Sequence, residues 1–62
     1  MNMLVIYNAK NIKTGEYKWE EEIKVRTNVE DCEWKSKEML EKMYPKKKGW
    51  EIELVEAYNL FN

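Results

Sequence analysis

The side chains able to do chemistry in this 62-residue chain are carboxylates, lysines, one thiol and three indoles. Glu20, Glu21 and Glu22, with Glu51, Glu53 and Glu56, have the residue type for paired acid–base carboxylates or for a hard-cation site. Strand alternation, however, sends Glu21 to the face opposite its neighbours, whereas a divalent cation needs convergent ligands. These residues read as the solvated face of strands, with lysines such as Lys24 for partners. Cys32 sits near the expected start of a helix, where a thiolate is stabilised. No His or Arg is placed beside it, so it reads as a small buried hydrophobe. The chain has no His, a single Cys and a single Ser, Ser36. That inventory excludes the usual structural zinc sites and the Ser–His and Cys–His nucleophile pairs. No catalytic, cofactor-binding or metal-ligating residue is assigned, and the expectation is a protein that is not an enzyme.

Binding chemistry remains. Glu30, Asp31 and Glu33 open the expected helix, and Lys42, Lys46, Lys47 and Lys48 lie at or beyond its end. The helix macrodipole favours that distribution, and the lysines form the alternative, a nucleic-acid patch. A formal net charge of −1 gives no general pull toward nucleic acid or an anionic membrane. The single Arg leaves little for the bidentate base contacts of specific readers. Nucleic-acid binding is therefore expected to be absent or weak. Trp19 and Trp50 have the shape of stacking platforms for bases, but a domain this small needs their area inside, and they are assigned to the core.

The elements that position these groups follow from pattern. Residues 1–62 make one domain. A chain of this length buries only about 60% of its unfolded surface, yet 44% hydrophobic and 13% aromatic residues suffice for a core. Residues 3–9 are nearly continuous apolar sequence and read as a strand buried on both faces. Gly15 suits the left-handed position of a hairpin loop. Residues 16–26 alternate, with Tyr17, Trp19, Ile23 and Val25 on one side and Lys18, Glu20, Glu22, Lys24 and Arg26 on the other. Thr27-Asn28-Val29-Glu30 matches a capping box, and a helix over residues 28–43 follows, stopped by Pro45. Its apolar stripe is Val29, Cys32, Ser36, Met39, Leu40 and Met43. Residues 50–58 form the last strand, with Trp50, Ile52 and Leu54 on one face. Leu60 and Phe61 form an apolar end able to fold over the sheet.

The expected fold is α+β, a two-layer β-β-α-β domain. It has a three-stranded antiparallel sheet of order 2-1-3 and one helix packed on one face. The expected core is Val5, Tyr7, Trp19, Ile23, Met39, Leu40, Met43, Ile52 and Leu54.

The Gly15-Glu16-Tyr17 turn, the cap from Thr27 to Glu30, Tyr44-Pro45 and the strand from Glu51 to Glu56 together resemble a family of small proteins. These are the short ββαβ accessory proteins of phages and mobile elements of low-GC bacteria. Lysines outnumber arginines ten to one, and a low-GC genome favours that bias. The resemblance implies an accessory or host-interaction factor and assigns no functional residue. The short apolar run at the N-terminus has no basic flank, no segment reaches the ~20 apolar residues of a membrane span, and a lone Cys suits a reducing compartment. These features set the expectation of a soluble cytoplasmic protein without a membrane partner.

Interaction surfaces are the remaining source of function. Leu4 and Ile6 face away from Val5 and Tyr7, so a helix over the latter leaves them exposed, and Val55 and Ala57 are expected to join them. Lys18, Glu20, Glu22 and Lys24 would give that face a self-complementary rim, which suits a homodimer. Trp34 falls at about 200° around the helix from Cys32, among Glu30, Glu38 and Glu41. Two readings of it stand: an exposed contact residue, or, if the helix starts near Cys32, a core plug. The expected function is that of a non-enzymatic protein-interaction module acting on a protein partner or on itself.

Overall fold

The computed structural model describes residues 1–60. Strand β1 (Asn2–Asn11) and strand β2 (Tyr17–Arg26) form a hairpin. Helix α1 (Cys32–Met43), a 3-10 turn (Lys46–Lys48) and strand β3 (Trp50–Leu60) follow. The sheet has order β2-β1-β3, and both neighbours pair with β1 antiparallel. The α+β architecture expected from the pattern is the architecture observed. The most apolar strand takes the centre because only there are both of its backbone edges paired and one whole face covered. Of the apolar end, Leu60 closes β3 opposite Asn2, and Phe61 lies outside the described residues.

The hairpin closes through Asn11. Its backbone N–H donates to the Glu16 carbonyl at 2.8 Å, and its carbonyl accepts from the Gly15 N–H at 2.8 Å. Gly15 has φ +80°, a conformation that favours a residue without Cβ. The Asn11 side chain accepts from the backbone N–H groups of Lys13 and Thr14 and donates to the Lys48 carbonyl. One buried amide thus ties the β1–β2 loop to the 3-10 turn 37 residues away. Gly49, φ +98°, ends that turn beneath Lys13 and Asn11, where a Cβ would come within 2.7 Å of Lys13 Cγ.

The helix begins four residues later than the capping box implies. Thr27 is buried, and its hydroxyl donates to the Asn28 carbonyl rather than accepting from the first turn. Asn28 Oδ1 instead accepts from the Asp31 N–H at 2.8 Å, folding residues 28–31 into a turn that delivers the chain to Cys32. Val29 therefore precedes the helix and is exposed. The buried stripe is Cys32, Ser36 and Leu40, a strict four-residue spacing. Met39 and Met43, assigned to the core from the broader stripe, flank it and are exposed, Met43 by 52%. A single short helix over three strands can bury one row of side chains, and the flanking rows face water.

The core comprises Met3, Val5, Val25 and Cys32 at one end and Tyr7, Ala9 and Leu40 at the other, with Ile23, Ile52 and Leu54 packed alongside. Leu40 is 0% exposed. Tyr44 lies 4.9 Å from Trp50 between ring centroids, edge to face, and 5.7 Å from Tyr7. The Tyr7 and Tyr44 hydroxyls share a hydrogen bond of 2.9 Å.

Two bulges set which residues share a face. In β2, the register passes from Tyr7 opposite Glu21 to Ala9 opposite Lys18, so Trp19 and Glu20 together oppose Asn8. Glu20 takes φ +51° to make the kink. In β3, the register passes from Ile6 opposite Glu56 to Tyr7 opposite Leu54, which leaves Val55 as the extra residue. Alternation inverts beyond each bulge. Lys18 turns to the helix side, opposite Ala9, while Tyr17 turns to the outer face, opposite Lys10. Trp19 stacks on Tyr17 at 5.6 Å and is 60% exposed. Trp19 is thus not a core residue. Ala57 lies opposite Val5 on the helix side, not beside Leu4 and Ile6.

Candidate interaction face

The sheet face away from α1 is built on the even-numbered residues of β1. Leu4 lies between Lys24 of β2 and Tyr58 of β3, and Ile6 lies between Glu22 and Glu56. Both are half-buried rather than fully exposed. The Tyr58 hydroxyl donates to Glu56 Oε2 on the same strand face. That hydrogen bond, and then the carboxylate charge, raise the Tyr58 phenol above its ordinary value. The face thus sets an apolar pair, Leu4 and Ile6, within a rim of Lys24, Glu22, Glu56 and Tyr58, an apolar centre with a polar rim.

Asn8 is the pivot of this face. Its Oδ1 accepts from the Glu20 N–H at 2.8 Å and its Nδ2 donates to Glu53 Oε1 at 3.0 Å. One buried amide therefore satisfies the backbone donor that the β2 bulge frees and clasps the opposite edge strand. The stacked Tyr17–Trp19 pair occupies the outer face beyond that bulge. The ion pair Lys10–Glu51, 3.9 Å and largely exposed, lies across from Tyr17. Such an exposed pair contributes at most about 1 kcal/mol.

The structure brings Leu4 and Ile6 together and places the other candidates elsewhere. Val55, the β3 bulge residue, lines an apolar groove between α1 and β3 with Met3, Val29, Cys32 and Ala57. Trp34 is 53% exposed. Its indole N–H donates to Asp31 Oδ1 at 3.1 Å, and it borders a groove with Val25, Arg26 and Met39 between α1 and β2. The late start of the helix does not swing it into the core. Lys42 lies 3.9 Å from Glu38 one turn earlier. Lys46, Lys47 and Lys48 are exposed on the 3-10 turn, whose carbonyls at positions 47 and 48 are held by Lys13 Nζ and Asn11 Nδ2.

Tyr17, Trp19 and Tyr58 on the outer face escaped the sequence reading. The available signal was Asn8, a polar residue in the middle of the most apolar strand, which marks a backbone irregularity across from it. Among the described residues no group of three or more Cys, Asp or Glu is arranged to hold a metal ion. No helix among them is long and apolar enough to cross a membrane. Comparison with protein-family models, with curated proteins and with solved structures finds no match to this chain.

Proposed function

We propose that this protein is a non-enzymatic interaction module that docks the outer face of its sheet onto the face of another protein. The observation that carries the reading is the row of Leu4 and Ile6 on the face opposite α1, bordered by Tyr58 and the Tyr17–Trp19 stack. Burying such bodies releases about 25 cal/mol per Å², and aromatic residues are enriched where binding energy concentrates. The composition and the resemblance to small ββαβ accessory proteins support a factor of a phage or mobile element that acts on a host protein or on its own copies.

The test compares the wild type with Leu4→Thr and Ile6→Thr, which keep strand propensity and remove apolar surface. Each is used as bait in host lysate after its melting temperature is checked. Proteins, or further copies of this chain, held by the wild type and released by folded variants support the reading. An identical set of bound proteins for all three baits refutes it. The nucleic-acid reading rests on Lys42, Lys46, Lys47 and Lys48. Binding to DNA or RNA that falls steeply with salt and is lost on neutralising these lysines would replace the proposal.

A further inference from the structure

The outer face has a charge pattern with one particular symmetry. On β2, Lys24 stands beside Leu4 and Glu22 beside Ile6; on β3, Tyr58 stands beside Leu4 and Glu56 beside Ile6. A half-turn about an axis across the strands, midway between Leu4 and Ile6, exchanges the two rows and keeps each strand in its own column. Two copies stacked face to face about that axis put Leu4 over the partner's Ile6. Lys24 then meets the partner's Glu22, and Tyr58, whose hydroxyl donates to its own Glu56, lies over the partner's Glu56. Every contact occurs twice. A half-turn about an axis along the strands instead sets Glu22 against the partner's Glu56 and opposes like charges.

The sheet edges are poor routes to association. β2 is kinked at Glu20 and β3 at Val55, and bulged, charged edges resist continuation of the sheet by another strand. Resting on the reading of the outer face as an interaction surface, we infer that its occupant is a second copy of this chain, stacked about the two-fold axis across the strands. About that axis residues 2–8 of β1 overlap the partner's residues 8–2, and three strands at 4.8 Å spacing by seven residues at 3.3 Å give a footprint of roughly 14 × 23 Å, or about 650 Å² counted over both copies. That is below the usual size of a permanent interface, so the dimer is a weak one that forms in the micromolar range or above.

The experiment is sedimentation velocity from about 10 µM to about 1 mM, a range that brackets an interface of this size. The wild type should rise from 7.6 kDa toward twice that mass. Lys24→Glu alone and Glu22→Lys alone each set like charges together at two places and should weaken association by about tenfold or more. An equimolar mixture of the two variants restores both ion pairs and should recover wild-type association as a heterodimer. Two misfolded variants would not rescue each other, so the mixture also controls for folding. Variants that associate as tightly as the wild type, or a mixture that fails to recover, overturn the two-fold arrangement. A wild type that stays monomeric throughout overturns the dimer, and a lysate partner that Leu4→Thr releases would then still uphold the reading of the face.

Discussion

Asn8 is the residue on which the outer face depends, and Asn8→Ala tests that dependence. Asn8 is 7% exposed, and its side chain makes two hydrogen bonds, to the Glu20 N–H and to the Glu53 carboxylate. A typical hydrogen bond contributes about 0.5–1.5 kcal/mol and one to a charged group about 1.5–3 kcal/mol. Glu53 and Glu20 are exposed, so water takes up part of what is lost, and the expected cost is about 2 kcal/mol. In a domain of this size each 1 kcal/mol moves Tm by about 4–8 °C, so Asn8→Ala should melt about 8–16 °C lower. The sample is kept dilute so that association does not contribute. Amide exchange supplies the local readout. The Glu20 N–H, protected by Asn8 in the wild type, should exchange at the rate of an open strand edge in the variant. Glu20→Gly provides the control, because relief of a left-handed non-glycine residue, about 1 kcal/mol, offsets the extra chain entropy of glycine, about 0.5–1 kcal/mol. Its Tm should stay close to that of the wild type. An Asn8→Ala protein melting within about 3 °C of the wild type, with Glu20 still protected, would refute the role of Asn8 as the clasp of the bulge.

Leu40→Ala should destabilise the domain by about 2–5 kcal/mol, since Leu40 is fully buried under the helix; chemical denaturation measures it. Gly49→Ala forces a side chain into a left-handed position with Lys13 Cγ at 2.7 Å and Asn11 Oδ1 at 2.8 Å. It should cost about 1–3 kcal/mol and loosen the loop that Asn11 ties down, seen as faster exchange of the Lys13 and Thr14 amides. Burial first, and then the hydrogen bond with Tyr44, hold the Tyr7 phenol well above the ordinary tyrosine value. The folded state therefore keeps a proton that the unfolded chain gives up. The stability this supplies is complete below pH ~10, the unfolded value, and is lost as pH rises from there toward the folded value. Tm should fall as pH rises above about 10, and Tyr7→Phe should flatten that fall while costing about 1 kcal/mol at neutral pH through the lost hydroxyl pairing.

Much of the fold is legible in the sequence because its determinants are local. Continuous apolar character sends β1 to the centre of the sheet. Gly15 marks the hairpin turn, Pro45 ends the helix, and Cys32, Ser36 and Leu40 repeat at the helical period. Leu4 and Ile6 could be placed on the outer face from alternation alone, since no irregularity interrupts β1 between Asn2 and Ile6. For Trp34 the sequence left an exposed residue and a core plug both open, and the structure, in which it is 53% exposed, decided between them.

The composition of that outer face was decided by tertiary structure. A strand repeats every two residues, so one extra residue inverts the facing of everything beyond it. Two such residues, in the Trp19–Glu20 step and at Val55, carried Tyr17, Trp19 and Tyr58 onto the outer face and took Lys18, Val55 and Ala57 off it. The first bulge is held by a hydrogen bond between residues twelve apart, from the Glu20 N–H to the Asn8 side chain. No local pattern in β2 encodes it. The helix start was decided in the same way, where the buried Thr27 hydroxyl turned to a carbonyl and left Asn28 to organise the turn. Propensity and period determined which elements form and in what order; the contacts of single buried polar side chains determined which way those elements face.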